Sequence, residues 1–277
     1  MKLIVTVGLD SPLERVIRDA FHDGYTRRVL CYPGIPTNAY SLDSELYIED
    51  PRIMGHFLKP DAVLFYSYFD TPEAQTFRRA IALSDVPCFP DVRRTLPLDD
   101  KVVGLVMALQ ANGPKLRRGF VPGGLTPENF EGERVFKWGN RHCGENKIRA
   151  GVQTNLPAPA VVEPFVEGVS ERILLVGKKA WQLRYESSDW RKNVRSTITV
   201  LDKPRPDLLE YALRIQEDLG LTVAGIDFIS PTPGVSFLLE VNAYPALDDV
   251  PEATTAFLDM AVKGLNQIVR DHDQHNG

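Results

Sequence analysis

Cysteine is scarce in this sequence. Cys31, Cys88 and Cys143 are its only thiols, odd in number and widely separated over 277 residues. That excludes a disulfide framework and the paired spacing of a zinc site, and it reads as three reduced thiols of an intracellular chain. Long apolar runs are also missing. The opening "MKLIVTVGLD" is too short for a signal peptide, and no later segment reaches the length of a membrane span. A cytoplasmic location with no membrane partner is therefore expected. Positive charge is not in excess: 32 Lys and Arg stand against 37 Asp and Glu, a net charge of -5. Without a global basic field nucleic acid is disfavoured as a partner, although Arg191, Lys192 and Arg195 make a local basic patch. Internal repeats and low-complexity linkers are absent too, apart from a short polar tail after Arg270.

What remains is ordinary globular composition, 43% hydrophobic and 25% charged, enough to bury a core in one large domain or two smaller ones. The composition neither requires nor excludes an oligomer. Three spans differ in pattern. Residues 1–90 alternate short apolar runs ("KLIVTVG", "RRVLCY", "AVLFYS") with helical stretches such as "SPLERVIRDAFHDG", the βαβ rhythm of a parallel sheet. Residues 91–159 are richer in Gly, Pro and Arg and hold one amphipathic helix, "LDDKVVGLVMALQANG". Residues 160–277 carry a hairpin turning at Gly177, a helix that starts at Pro206 and ends before Gly220, and a final helix "PEATTAFLDMAVKGLNQIVRD". The expected class is α/β with an α+β C-terminal lobe.

Two strands in that last span break the rules of a core. "VAGIDFISPTPGVSFLLEVNAYPAL" reads as a buried hairpin, yet it carries Asp227, Glu240 and Asn242. Residues two apart on a strand share a face, so Glu240 and Asn242 point one way, and an antiparallel neighbour can set Asp227 beside them. Any one of them alone fits an ordinary hydrogen bond at a strand end. Together, two carboxylates and an amide oxygen repel and resist desolvation unless a cation lies between them, and an all-oxygen set suits magnesium.

Magnesium with few protein ligands commonly accompanies nucleotide phosphates, which directs attention to basic residues and a slot for a base. Lys101 opens the middle helix and Lys137 ends the strand-like "ERVFK". The following "WGNRHCGENK" has two glycines and suits a loop folding over phosphates through backbone N–H groups. "VVEPFVEG" mixes apolar side chains with backbone free to read a purine edge, although a plain core strand has the same look. Cys143, beside His142, reads as an ordinary loop thiol.

Taken in order, "DDK", "VFK", "VVEPFVEGVSERILLVGKKAWQLRYESSDWRKN", "LGLTVAGIDFI" and "LLEVNAYPAL" resemble the ATP-grasp superfamily, and within it the RimK-like carboxylate–amine ligases. The resemblance covers roughly the last two thirds of the chain. It implies an ATP-grasp fold with residues 1–90 as a pre-ATP-grasp lobe, 91–159 as the small lid subdomain and 160–277 as the C-terminal subdomain, nucleotide lying between the last two. It implies ATP and two magnesium ions, with manganese able to take their place, held by Asp227, Glu240 and Asn242. It assigns Lys101 and Lys137 to the nucleotide, Glu163, Pro164, Phe165 and Val166 to the adenine, and Glu171 and Arg184 to further nucleotide contacts. It implies catalytic roles for Arg172, Arg191 and Asn193, with Arg191 and Asn193 near the reacting phosphates and Arg172 with Arg191 holding the substrate carboxylate and its tetrahedral oxyanion. Ser170 stands where the family keeps a ribose-facing aspartate, Ala246 where it keeps a glycine, and the glycines that follow the Arg-x-Asn element are missing from "VRSTITV".

The implied activity is ATP-dependent ligation of a carboxylate to an amine through an acyl phosphate, on an amino acid, peptide or protein substrate. The alternatives are a phosphotransferase that stops at phosphorylation and a non-catalytic nucleotide-binding partner protein.

Overall fold

Uninterrupted apolar runs suit strands covered on both faces, and the N-terminal strands follow that rule: Ile4, Val5, Val7 and all of Ala62–Phe65 are inaccessible to solvent. The computed structural model describes residues 2–22, 26–67, 71–110, 116–124, 132–139, 146–149, 155–156, 159–192 and 194–275. These fall into two compact units, Met1–Leu96 with Leu221–Val223 and Ala246–Gly277, and Pro97–Gly220 with Ala224–Pro245.

The first unit runs β1 (Lys2–Val7), α1 (Ser11–Phe21), β2 (Arg27–Tyr32), β3 (Ala39–Leu42), β4 (Glu45–Glu49), β5 (Phe57–Leu58), β6 (Ala62–Phe65), α2 (Pro72–Leu83), β7 (Cys88–Phe89) and α3 (Val92–Thr95). Its main sheet is parallel, in the order β2-β1-β6-β7. Helix starts are written locally: Asp10 accepts from Leu13 N at 3.0 Å and Thr71 from Ala74 N at 3.2 Å, each with a proline in the first two helical positions. The βαβ rhythm is interrupted by an antiparallel meander, β3-β4-β5, where Tyr40 stacks on Tyr47 with ring centroids 5.0 Å apart. Its strands are short and half polar, so periodicity alone does not reveal them.

The second unit runs α4 (Lys101–Gln110), β8 (Gly119–Val121), β9 (Arg134–Trp138), β10 (Lys147–Arg149), β11 (Ala160–Pro164), β12 (Val169–Val176), β13 (Lys179–Glu186), β14 (Thr197–Leu201), α5 (Pro206–Leu219), β15 (Val223–Thr232) and β16 (Val235–Asn242). The last helix, α6 (Pro251–His275), belongs to the first unit, where Phe257 packs on Tyr66 and Phe89. One sheet of the second unit has the order β10-β9-β11-β8, over a small core of Val121, Phe136, Leu156 and Ala160. The other has five strands in the order β14-β13-β12-β15-β16. Helix α5 starts at Pro206 and stops at Gly220, whose φ of 63° is the left-handed value glycine adopts without strain. Its buried Leu208, Ala212 and Ile215 form the face that packs on β12. Between β12 and β13 the chain reverses at Gly177, φ 57°.

Candidate active site

Strands β15 and β16 pair antiparallel, with Asp227 opposite Glu240 and Gly225 opposite Asn242. Two carboxylates therefore face each other across a ladder, a destabilising arrangement unless cations offset it. Chain cations are present at both. From β12, Arg172 grips Asp227 with a two-bond fork, Nε to Oδ1 at 2.6 Å and a terminal nitrogen to Oδ2 at 2.9 Å. From β10, Lys147 brings Nζ to 3.4 Å from Glu240 Oε2. Asn242 donates from Nδ2 to Asp227 Oδ2 at 3.3 Å. Gly225 makes room for the fork, since a Cβ there would fall 3.3 Å from Arg172 Cδ and Nε and 2.9 Å from Pro245 Cβ.

Burial is the largest influence on both members of the pair. It pushes the Asp227 carboxyl up, and neighbouring Glu240 adds to that push while Arg172 pulls against it, so the carboxyl stands above its ordinary range. Burial also opposes the Arg172 charge, but Asp227 more than restores it and the guanidinium stays cationic.

Asp227, Glu240, Arg172 and Lys147 line an open cleft, with Lys137, Glu163, Pro164, Phe165, Val166, Ser170, Tyr185, Trp190, Arg191 and Lys192 among its other walls. Glu163 is buried under two cations, Lys137 Nζ at 2.5 Å and Arg118 Nε at 2.7 Å. Burial opposes its ionisation, but Lys137 and Arg118 outweigh burial and hold its carboxyl below the ordinary value. Arg118 also donates to the Leu238 carbonyl, tying β11 to β16. At one end of the cleft Phe165 meets Trp190 edge-on, centroids 6.3 Å apart, and the Arg149 guanidinium lies 3.8 Å above the Phe165 ring.

The expected residues divide accordingly. Asp227, Glu240, Arg172, Lys137, Arg191 and the segment Glu163 to Val166 all line the cleft, and Asn242 joins them through Asp227. Within that segment Pro164 has no N–H and the Phe165 N–H is committed to the Glu133 carbonyl at 2.9 Å, which narrows the backbone available to a base edge. Arg191 lines the cleft while its own fork lies on Asp189, at 3.2 and 2.8 Å.

Glu171 and Arg184 are not brought to the cleft. Alternation along β12 puts Glu171 on the face opposite Arg172, and Arg184 is Glu171's partner across the β12–β13 ladder. There Glu171 is 2% exposed and accepts from Gln182, Arg205 and Ser230 at 2.7, 3.0 and 2.8 Å. The side chain of Lys101, Asn193, and residues 140–145 of the loop after Lys137 lie outside the described residues. Among the described residues no three His, Cys, Asp or Glu side chains gather, and the oxygen donors of the cleft's acidic pair are joined by one amide, Asn242.

Sequence reasoning missed Lys147, Arg118 and Gly225. Lys147 ends the loop "WGNRHCGENK" and stands across from Lys137 in the β9–β10 ladder, a placement that folding that stretch as a hairpin would have suggested. Arg118 reaches partners 45 and 120 residues away, which no local pattern encodes.

No protein-family model matches the chain. Among curated proteins, a "Probable alpha-L-glutamate ligase" of Klebsiella pneumoniae (strain 342) is 29% identical over 150 residues, 52% of this chain and 48% of the relative. The chain thus spans about half the length of the curated relatives it matches. Among solved structures, the ATP-grasp ligase PsnB complexed with minimal precursor, Mg and ADP superposes with a TM-score of 0.62 at 14% identity, covering 95% of this chain and 96% of that one. D-alanine–D-alanine ligase from Bacillus anthracis gives 0.61 at 12% identity, covering 98% and 99%. The fold is that of the ATP-grasp ligases, and the sequence likeness to a glutamate ligase agrees with the RimK-like resemblance.

Proposed function

We propose that the chain is an ATP-dependent carboxylate–amine ligase acting on an amino acid, peptide or protein substrate. The observation that carries this reading is the cross-strand pair Asp227 and Glu240, set in a cleft that also holds Lys137, Lys147, Arg172 and Arg191. Likeness to a probable glutamate ligase, to an ATP-grasp ligase complexed with a minimal precursor and to a D-alanine–D-alanine ligase supports it.

The donor chemistry fits magnesium. Asp227, Glu240 and Asn242 offer only hard oxygen donors, and a divalent ion would relieve the repulsion between the opposed carboxylates. When bound, magnesium would neutralise phosphate oxygens in the cleft. The cleft takes its walls from residues on both sides of position 160, which suits a nucleotide between the 91–159 and 160–277 spans. In this reading Lys137 and Lys101 meet the phosphates, and Phe165, Val166 and Trp190 flank the base. The substrate carboxylate attacks the γ-phosphorus, releasing ADP and forming an acyl phosphate; the amine then attacks the acyl carbon and phosphate departs. In this reading Arg191 leaves Asp189 to meet developing negative charge, and Arg172 orders Asp227.

A screen for ADP release across amino acids and peptides, with mass spectrometry of the product, tests this. An amide product with ADP and free phosphate supports ligation. A stable phosphorylated product would replace ligation by phosphoryl transfer, and absence of ATP turnover with tight nucleotide binding would leave a binding protein.

A further inference from the structure

We infer that Lys147 is a built-in surrogate cation, holding Glu240 while the cleft is free of nucleotide and passing to the nucleotide phosphates when a divalent ion takes that carboxylate. The inference rests on the nucleotide-binding reading above.

Three observations carry it. Lys147 and Glu240 are both largely withdrawn from water, 11% and 19% exposed, with Nζ and Oε2 3.4 Å apart. A charge so placed is costly without a partner, so each needs an opposite charge in every state of the cleft. Next, each of the two opposed carboxylates has a chain cation of its own, Arg172 on Asp227 and Lys147 on Glu240. The pair is thereby neutralised by the chain itself. Finally, the two cations differ in kind. Arg172 holds Asp227 by a planar two-bond fork at 2.6 and 2.9 Å, whereas Lys147 makes one long contact from a flexible stem with three donors.

The exchangeable carboxylate is therefore Glu240. A divalent ion bound there displaces Lys147, whose charge must then find another anion inside the cleft. Lys147 stands opposite Lys137 in the β9–β10 ladder and both line the cleft, so a polyphosphate lying along Lys137 comes within reach of both. The surrogate thus competes with the metal alone but cooperates with metal and nucleotide together.

The two roles give effects of opposite sign in one variant. Manganese is the probe, read calorimetrically first alone and then with a non-hydrolysable ATP analogue. Lys147→Met is expected to bind manganese alone roughly three- to tenfold more tightly, because a competing positive charge is gone. The same variant should bind the analogue about tenfold more weakly, through loss of a charged phosphate contact. Lys147→Arg should restore most of the analogue affinity.

Lysine acylation of the unaltered protein, read by mass spectrometry, makes the test independent of whether the variants fold. Labelling of Lys147 should rise with manganese alone and fall when analogue is added. If the parent binds the analogue with manganese, yet the variant shifts both affinities the same way or neither, and labelling ignores manganese, the surrogate role is overturned while the nucleotide reading stands. If the parent binds no analogue, the nucleotide reading itself falls and takes the inference with it.

Discussion

The central sheet of the second unit buries acidic side chains on both faces, and the two faces solve the problem differently. On one, Glu171 stands as a single carboxylate with hydrogen bonds from Gln182, Arg205 and Ser230, and Ser236 completes the network through Ser230 and Arg205. On the other, Asp227 and Glu240 face each other and depend on cations brought from β12 and β10. A lone, fully bonded acid is a structural part, because nothing remains for a ligand to satisfy. Two opposed acids balanced by one forked arginine and one singly bonded lysine, in the proposed reading, form a site that a divalent ion would enter by displacing the lysine.

The sharpest way to break this comparison is at Glu240. Glu240→Gln keeps the side chain's shape and removes the charge, and turnover should fall by about a hundredfold or more while the melting temperature holds. Near-normal ADP production at ordinary magnesium would remove Glu240 from the site.

The mirror experiment lies one sheet face away. Glu171→Ala removes the buried acceptor shared by Gln182, Ser230 and Arg205, which keep Ser236, Asp207 and each other as partners, and should cost about 2 kcal/mol of stability, with nucleotide affinity little changed. Denaturant melts beside nucleotide titrations decide: an intact fold with lost nucleotide binding would return Glu171 to the nucleotide.

Why the sequence placed Glu171 with the nucleotide while the chain turns it away is a matter of strand parity. With Ser170 at the place of a ribose-facing aspartate, the resemblance passes that contact to the neighbouring Glu171, but adjacent strand residues point to opposite faces, so Glu171 stands on the face opposite Ser170 and Arg172. That signal was available. So were the pairing of Asp227 with Glu240, the start and stop of α5 at Pro206 and Gly220, and the turn at Gly177, because each follows from period, proline or glycine. The meander β3-β4-β5 and the reach of Arg118 to Leu238 were not legible, since short half-polar strands carry little periodicity and long-range contacts leave no local trace.

A smaller effect is expected at Lys137, whose charge is shared between Glu163 and the cleft. Lys137→Ala leaves Glu163 with Arg118, so the fold should persist and nucleotide affinity should weaken roughly tenfold. Unchanged affinity by calorimetry would move the nucleotide away from this wall.

The smallest effect separates two forks of the same shape. Arg172–Asp227 and Arg191–Asp189 are both two-bond pairs, but their carboxyls move in opposite directions. Asp227 is raised because burial outweighs its arginine, whereas Asp189, on a partly exposed turn, is lowered from 3.8 to about 2, first by its hydrogen bond from the Arg191 side chain and then by the Arg191 main-chain N–H. A carboxyl with a depressed folded value contributes stability above its ordinary value and loses it as the pH falls through the folded one. The Asp189 turn should therefore hold above about pH 4 and loosen between there and about pH 2. Trp190 sits between the two partners and reports locally once Trp138 and Trp181, the other two tryptophans, are replaced by Phe. In that background its fluorescence should show an acid transition that Asp189→Asn abolishes, with little change in global stability because the pair is partly exposed and local to one turn. The same transition in the Asn variant would mean that an acid other than Asp189 sets it, and that the Arg191–Asp189 fork does not hold the turn.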